Sequence, residues 1–222
     1  MQAIDPTQRA ADLRLRGASS RPVRVRWPAG ARSPAPLVVF LPDLAPSDGV
    51  DPADERLCHE LCAGVGAVVL CAPWATSGVG GSDSPLERAA GVLEWSADHA
   101  GELAGDPDRL LLAGSGAGVA ACVALALRAR KRGWPRITRQ LLVLCASASR
   151  PSAVREAARS AISDLPDDVG VAAAPATVAV PGGRPTRCAE RLRARGIAVD
   201  ELALEDVEAL SRSLRGALEV GT

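Results

Sequence analysis

Short uninterrupted apolar runs, separated by segments with helical spacing, set the rhythm of this chain. Leu37 to Leu41, Ala67 to Ala72, Leu110 to Ala113, Leu141 to Ala146 and Thr177 to Val180 read as central strands covered on both faces. Val199 to Leu204 is a further strand, and Val23-Arg24-Val25-Arg26-Trp27 alternates apolar and basic residues as a strand with one wet face does. Pro28, Gly30 and Pro34 follow it as turn residues. Asp51 before Pro52 makes an N-cap for a helix whose apolar face is Leu57, Cys58, Leu61 and Cys62, with Gly64 as its stop. Ser84-Pro85-Leu86-Glu87 is a capping box opening a helix through Val92, Leu93, Trp95 and Leu103, and Asp106-Pro107-Asp108 is a turn. Gly114-Ser115-Gly116-Ala117-Gly118 is a tight turn leading into a helix from Val119 to Arg132, stopped by Gly133 and Pro135. Helices are also expected over 154–162, over Arg187 to Arg195 and over Val207 to Leu218. Strands alternating with helices imply an α/β fold, a mostly parallel central sheet with helices on both faces, in one domain over 1–222. Residues 1–20 are expected to form an irregular or helical arm.

Composition narrows the chemistry. The chain has 222 residues, 47% of them apolar, which suffices for a real core. Its 26 basic and 26 acidic residues cancel, so no global field draws it to nucleic acid or to a membrane. The longest nearly uncharged apolar stretch, Ala117 to Leu127, is about half of the ~20 residues that span a bilayer. No signal-peptide pattern opens the sequence, and a cytoplasmic location is expected. Six cysteines at 58, 62, 71, 122, 145 and 188 show no zinc spacing and sit in apolar segments, so they read as reduced core residues, with no metal and no cofactor implied. Charge is uneven along the chain: net +5 over 1–36, −10 over 37–112, +6 over 113–145 and −1 over 146–222. The basic cluster Arg128, Arg130, Lys131, Arg132, Arg136 and Arg139 reads as a solvated helix C-terminus, with contact to an acidic partner as the alternative. There is no Tyr, and His59 and His99 are the only histidines, so any imidazole base is one of these two.

The strand, glycine turn and helix around Gly114 to Gly118 have the architecture of a nucleophile elbow. Further signatures align with it without gaps. Leu37 to Leu41 is the strand before an oxyanion loop, Arg56-Leu57-Cys58 lies on the helix after it, Trp74 and Trp95 fall on aromatic positions, and Asp106-Pro107-Asp108-Arg109-Leu110 leads into the elbow strand. From Leu37 to about Ser147 the chain resembles the hormone-sensitive-lipase-like branch of the α/β-hydrolases, whose members carry an HGGG oxyanion motif and a GDSAGG elbow. The resemblance implies a three-layer α/β-hydrolase fold. Only about 36 residues precede the first matching central strand and about 30 separate Ala146 from Thr177, so the cap over the site is expected to be small or absent.

The same alignment departs from the family where chemistry resides. Pro42-Asp43-Leu44 stands on the His-Gly-Gly loop, which puts a carboxylate where an oxyanion would develop. Gly116 stands on the nucleophile, with Ser115 before it. Pro181-Gly182-Gly183-Arg184 offers no triad acid, and both histidines lie far upstream of the triad position near Asp206 to Glu208. No catalytic residue is therefore assigned. Shifting the turn by one residue makes Ser115 a displaced nucleophile, but a serine needs a base within reach, and the plainer reading is a turn serine bonded to nearby backbone. Gly116-x-Gly118-x-x-Ala121 also fits a dinucleotide fingerprint formally, but no acid occurs between 113 and 145 to hold a ribose.

The expected function is that of a degenerate esterase/lipase-like homologue, non-hydrolytic, binding a small-molecule ligand or a protein partner through the old active-site face, with homo- or hetero-oligomers as its assembly options. Asp43, Leu44, Trp74, Ser115, Gly116, Asp206 and Glu208 are the candidate ligand-binding residues at the strand C-termini. The alternatives are an atypical enzyme of epimerase or cyclase type, substrate-assisted and working in a biosynthetic pathway, or a residual carboxylic ester hydrolase.

Overall fold

The computed structural model describes residues 9–15, 22–30, 34–43, 50–74, 84–144, 174–180, 186–194, 196–205 and 207–219. Eight strands among them form one sheet: β1 (Arg9–Leu13), β2 (Val23–Trp27), β3 (Ala35–Leu41), β4 (Val68–Cys71), β5 (Gly105–Ser115), β6 (Ile137–Val143), β7 (Ala176–Val180) and β8 (Val199–Ala203). Their spatial order is β1-β2-β4-β3-β5-β6-β7-β8. β1 and β2 run antiparallel to their neighbours and every pairing from β4 to β8 is parallel. The helices are α1 (Pro52–Glu60), α2 (Pro85–Asp98), α3 (Ala117–Arg132), α4 (Arg187–Ala194) and α5 (Val207–Glu219).

Alternate residues along the central strands feed two cores. Leu37, Val39, Leu41, Leu110 and Leu112 pack against Ala89, Val92 and Leu93 of α2, Cys122 and Leu125 of α3, and Ala189 and Leu192 of α4. Val38, Phe40, Leu111 and Ala113 pack on the opposite face against Cys58 of α1 and against Leu210 and Leu214 of α5. This double burial explains why the strands read as continuous apolar runs, and it establishes the three-layer arrangement.

Several boundaries differ from expectation. The arm over 1–20 is not irregular or helical throughout, because Arg9–Leu13 pairs with β2. This edge strand is largely exposed and has no apolar period, so pairing rather than patterning defines it. The first helix does not stop at Gly64 but passes into a π turn over Leu61–Val65, closed by Gly66. β5 absorbs the expected turn at Asp106-Pro107-Asp108, with a register shift between Pro36 and Leu37 on its neighbour. β6 begins earlier than expected, at Ile137. The expected helix over 154–162 and most of the stretch that decides cap size lie outside the described residues.

Most of the basic cluster lies at the solvated helix end expected of it, with Arg130, Lys131, Arg132 and Arg136 exposed, and three of its members meet acids. Arg128 pairs with Glu87 at 2.6 Å and Glu94 at 3.6 Å, Arg132 with Glu94 at 3.0 Å, and Arg139 with Asp200 at 2.7 Å. The acids that meet these three bases belong to the chain itself, and two of the bases tie α3 to α2.

Candidate functional site

Successive strands and helices bring the C-terminal ends of β3, β4 and β5 together with the N-termini of α1 and α3, where parallel sheets place ligands. Gly116 forms the corner between β5 and α3 with φ 54° and ψ −117°, in the left-handed half of backbone space that side chains rarely enter. Gly118, two residues on, lies so close to β3 that a Cβ there would overlap the Leu41 carbonyl oxygen. Together these two glycines let the first turn of α3 press against the sheet.

Asp43 follows β3 and is only 8% exposed. Its Oδ1 accepts a hydrogen bond from the Ala117 N–H at 2.9 Å. A Cβ on Gly116 would overlap this carboxylate. Asp43 therefore fills the place of the elbow side chain and takes the first backbone donor of α3.

The Pro42–Asp43 peptide is held at both ends. The Trp74 indole Nε1–H donates to the Pro42 carbonyl at 3.0 Å. The Asp43 N–H on the other edge of the same peptide donates to Ser115 Oγ at 3.0 Å and to Asp54 Oδ2 at 3.1 Å. The Ser115 hydroxyl donates in turn to Asp54 Oδ2 at 2.8 Å. Asp54 is 4% and Ser115 1% exposed, so these polar groups are withdrawn from water and satisfied by one another. Arg88 Nε donates to the Trp74 carbonyl at 3.4 Å, bringing α2 into the same assembly.

Of the candidate residues, the structure brings Asp43, Trp74, Ser115 and Gly116 together. Leu44 and Asp206 lie outside the described residues, and of Glu208 only its place on α5 is described. Asp54 escaped the sequence reading. The available signal was its position in the first turn after the Asp51–Pro52 cap, which by itself reads as an acid complementing the helix dipole.

Both histidines stand away from the elbow. His59 is in the last turn of α1. His99 caps the C-terminus of α2, its Nδ1 3.0 Å from the Trp95 carbonyl oxygen and its ring stacked on Trp95 at 4.6 Å. In a parallel β-α-β unit these helix ends approach the N-terminal edge of the sheet, opposite the elbow.

Cys58, Cys62, Cys71 and Cys122 are free and buried, and Cys188 is free and half-buried; Cys145 lies outside the described residues. Burial pushes the thiols of Cys62 and Cys188 up to about 11. It raises Cys122 further, and Cys58 is raised by burial and by its hydrogen bond with Cys71. Such thiols are poor nucleophiles. Among the described residues no group of three or more His, Cys, Asp or Glu is placed to hold a metal ion. No helix among them is long and apolar enough to cross a membrane.

A family model described as alpha/beta hydrolase fold matches residues 48–174. Carboxylesterase NlhH of Mycobacterium tuberculosis is 29% identical over 126 residues, which are 57% of this chain and 40% of that protein. Esterase LipI of the same species is 28% identical over 151 residues, 64% of this chain and 45% of that protein. The matched part of the chain thus spans less than half the length of these relatives. The crystal structure of EstE1, a thermophilic carboxylesterase cloned from a metagenomic library, aligns with TM-score 0.74 and 20% identity, covering 98% of this chain and 91% of that one.

Proposed function

Since the chain belongs to the α/β-hydrolase-fold family, we propose that it is a non-hydrolytic, esterase-like member that binds a small molecule or a protein partner on the face carrying the strand C-termini. The observation that carries this reading is the Asp43 carboxylate over Gly116, accepting the Ala117 N–H. Acyl transfer at an elbow needs a nucleophilic side chain there, an oxyanion held by the N–H after it and by another from the loop following the third strand, and a base. Gly116 has no side chain. The Ala117 N–H is engaged by an anion, and the Asp43 N–H is turned away toward Ser115 and Asp54.

The magnitudes favour silence. A developing oxyanion about 4 Å from a carboxylate at an effective dielectric of about 20 meets roughly 4 kcal/mol of repulsion. Losing a donor removes about 3 kcal/mol more of stabilisation. Each term alone slows the chemical step by roughly 100- to 1,000-fold. Asp54 Oδ2 lies within reach of the Ser115 proton at 2.8 Å, but Ser115 is 1% exposed and its oxygen accepts from the Asp43 N–H, so it is not presented to an acyl group. The buried free thiols suit a reducing, cytoplasmic setting.

Residual ester hydrolysis is the second reading, favoured by the carboxylesterase and esterase names of the sequence relatives. A fluorophosphonate probe and p-nitrophenyl butyrate separate the two. The expected result is no covalent labelling and no turnover above that of the Ser115→Ala variant. Stoichiometric labelling at Ser115, with turnover abolished by Ser115→Ala, overturns the non-hydrolytic reading.

A further inference from the structure

We infer that Asp54, Ser115 and Trp74 form a clamp on the Pro42–Asp43 peptide that keeps Asp43 seated over the amide of Ala117 and closes that donor to an anionic ligand. This inference deepens the proposed function and rests on the same reading of the elbow. Its physical basis is that one peptide group is gripped at both poles. The Trp74 indole holds the carbonyl, and the Ser115 hydroxyl and the Asp54 carboxylate hold the N–H. The grips come from three places: the segment after β4, the end of β5 and the first turn of α1.

A peptide plane fixed in this way anchors the N–Cα bond from which the Asp43 side chain springs. Rotating the plane would strand a buried N–H and a buried carbonyl, each of which costs free energy when left without a partner. The side chain accordingly leaves on the elbow side, where its carboxylate meets the Ala117 N–H and the bare face of Gly116. Ser115 is well placed for this task because it both accepts from the peptide and donates to Asp54, so one hydroxyl closes a three-membered set of hydrogen bonds. Asp54, Ser115 and Trp74 act through Asp43 and are positioning residues.

The clamp gates access to a single donor. An anionic oxygen, such as that of a ligand carboxylate, reaches the Ala117 N–H only when Asp43 has left it. The chemistry that displaces Asp43 is anionic oxygen, and the elements that decide how often it leaves are the two ends of one peptide.

Amide hydrogen exchange, followed residue by residue by NMR on the full chain, tests this directly and does not depend on whether any ester is turned over. Ser115→Ala removes one of the two acceptors of the N–H pole, together with the hydroxyl that ties Asp54 to it, and Trp74→Phe releases the carbonyl pole. In either variant, exchange at the Ala117 amide is expected to accelerate about tenfold relative to the Leu112 amide in the middle of β5. A relative acceleration below about threefold, including equal acceleration of both amides, overturns the clamp and leaves these residues as ordinary contributors to global stability. If one variant does not fold, the other decides. Ester turnover by the wild-type chain would overturn the non-hydrolytic reading while leaving the exchange result interpretable, so the two failures are distinguishable.

Discussion

The carboxylate of Asp43 occupies the volume that a side chain on Gly116 would need, and 73 positions of sequence separate the two residues. Neither position is understood without the other. A glycine at the corner admits the carboxylate, and the carboxylate supplies an acceptor to the helix N-terminus that the glycine leaves bare.

This coupling is measurable as a double-mutant cycle. Gly116→Ala forces an L side chain into positive φ and into Asp43, with an expected cost above about 3 kcal/mol. In an Asp43→Ala background the clash is gone and only the backbone strain of about 1–2 kcal/mol remains. Urea denaturation is expected to give a coupling of at least about 1 kcal/mol, and additivity within about 0.5 kcal/mol would sink the pairing.

Gly118→Ala has no such rescue. The added Cβ would overlap a main-chain oxygen of β3, and backbone cannot swing aside as a side chain can. The variant is expected to lose more than about 3 kcal/mol in any background, Asp43→Ala included. Stability within about 1 kcal/mol of the parent would show that α3 and β3 are less closely pressed than described.

The central strands and most helices were legible because burial on two faces writes itself as apolar runs, and because caps such as Ser84 and Asp51 announce helix starts. β1 was not, since Arg9 to Leu13 carries no period and takes its conformation from β2. The elbow was visible in its glycines, and Asp43 through its place in the aligned loop. Asp54 was invisible for a different reason: its contact with Ser115 spans 61 positions, and a first-turn acid has a sufficient local explanation without it. The basic cluster was legible as a helix end, while the acids on α2 that meet Arg128 and Arg132 are tertiary neighbours that no local pattern marks.

Alkaline pH isolates the cysteines. The chain has no Tyr and a single lysine, Lys131, so thiols are the main side chains that titrate between about pH 8.5 and 11. The Cys62 thiol is raised by burial from 9.0 to about 11. In that interval the unfolded chain releases its thiol protons before the folded chain does. The stability tied to the protonated buried thiol is complete below about pH 9 and is lost as pH rises toward about 11. Urea midpoints should fall between about pH 8 and pH 10.5, and Cys62→Ala should flatten the decline by on the order of 1 kcal/mol. An unchanged slope in the variant would mean that Cys62 ionises alike in both states.

Acid pH probes the seam between α2 and α3. A hydrogen bond from Arg128 is the main cause that holds the Glu87 carboxyl below its usual range, with the charges of Arg128 and Arg132 acting in the same direction. A carboxylate whose pKa is depressed on folding adds stability above its unfolded value of about 4.3, and that contribution is lost as pH falls through the folded value. The pair is exposed, so its effect on global stability is small and weakens with salt. The sharper readout is the titration itself. In the wild type, NMR should place the Glu87 midpoint below that of a free glutamate, and Arg128→Ala should move it back up. No shift at Glu87 would mean that the helices are not joined through this arginine in solution.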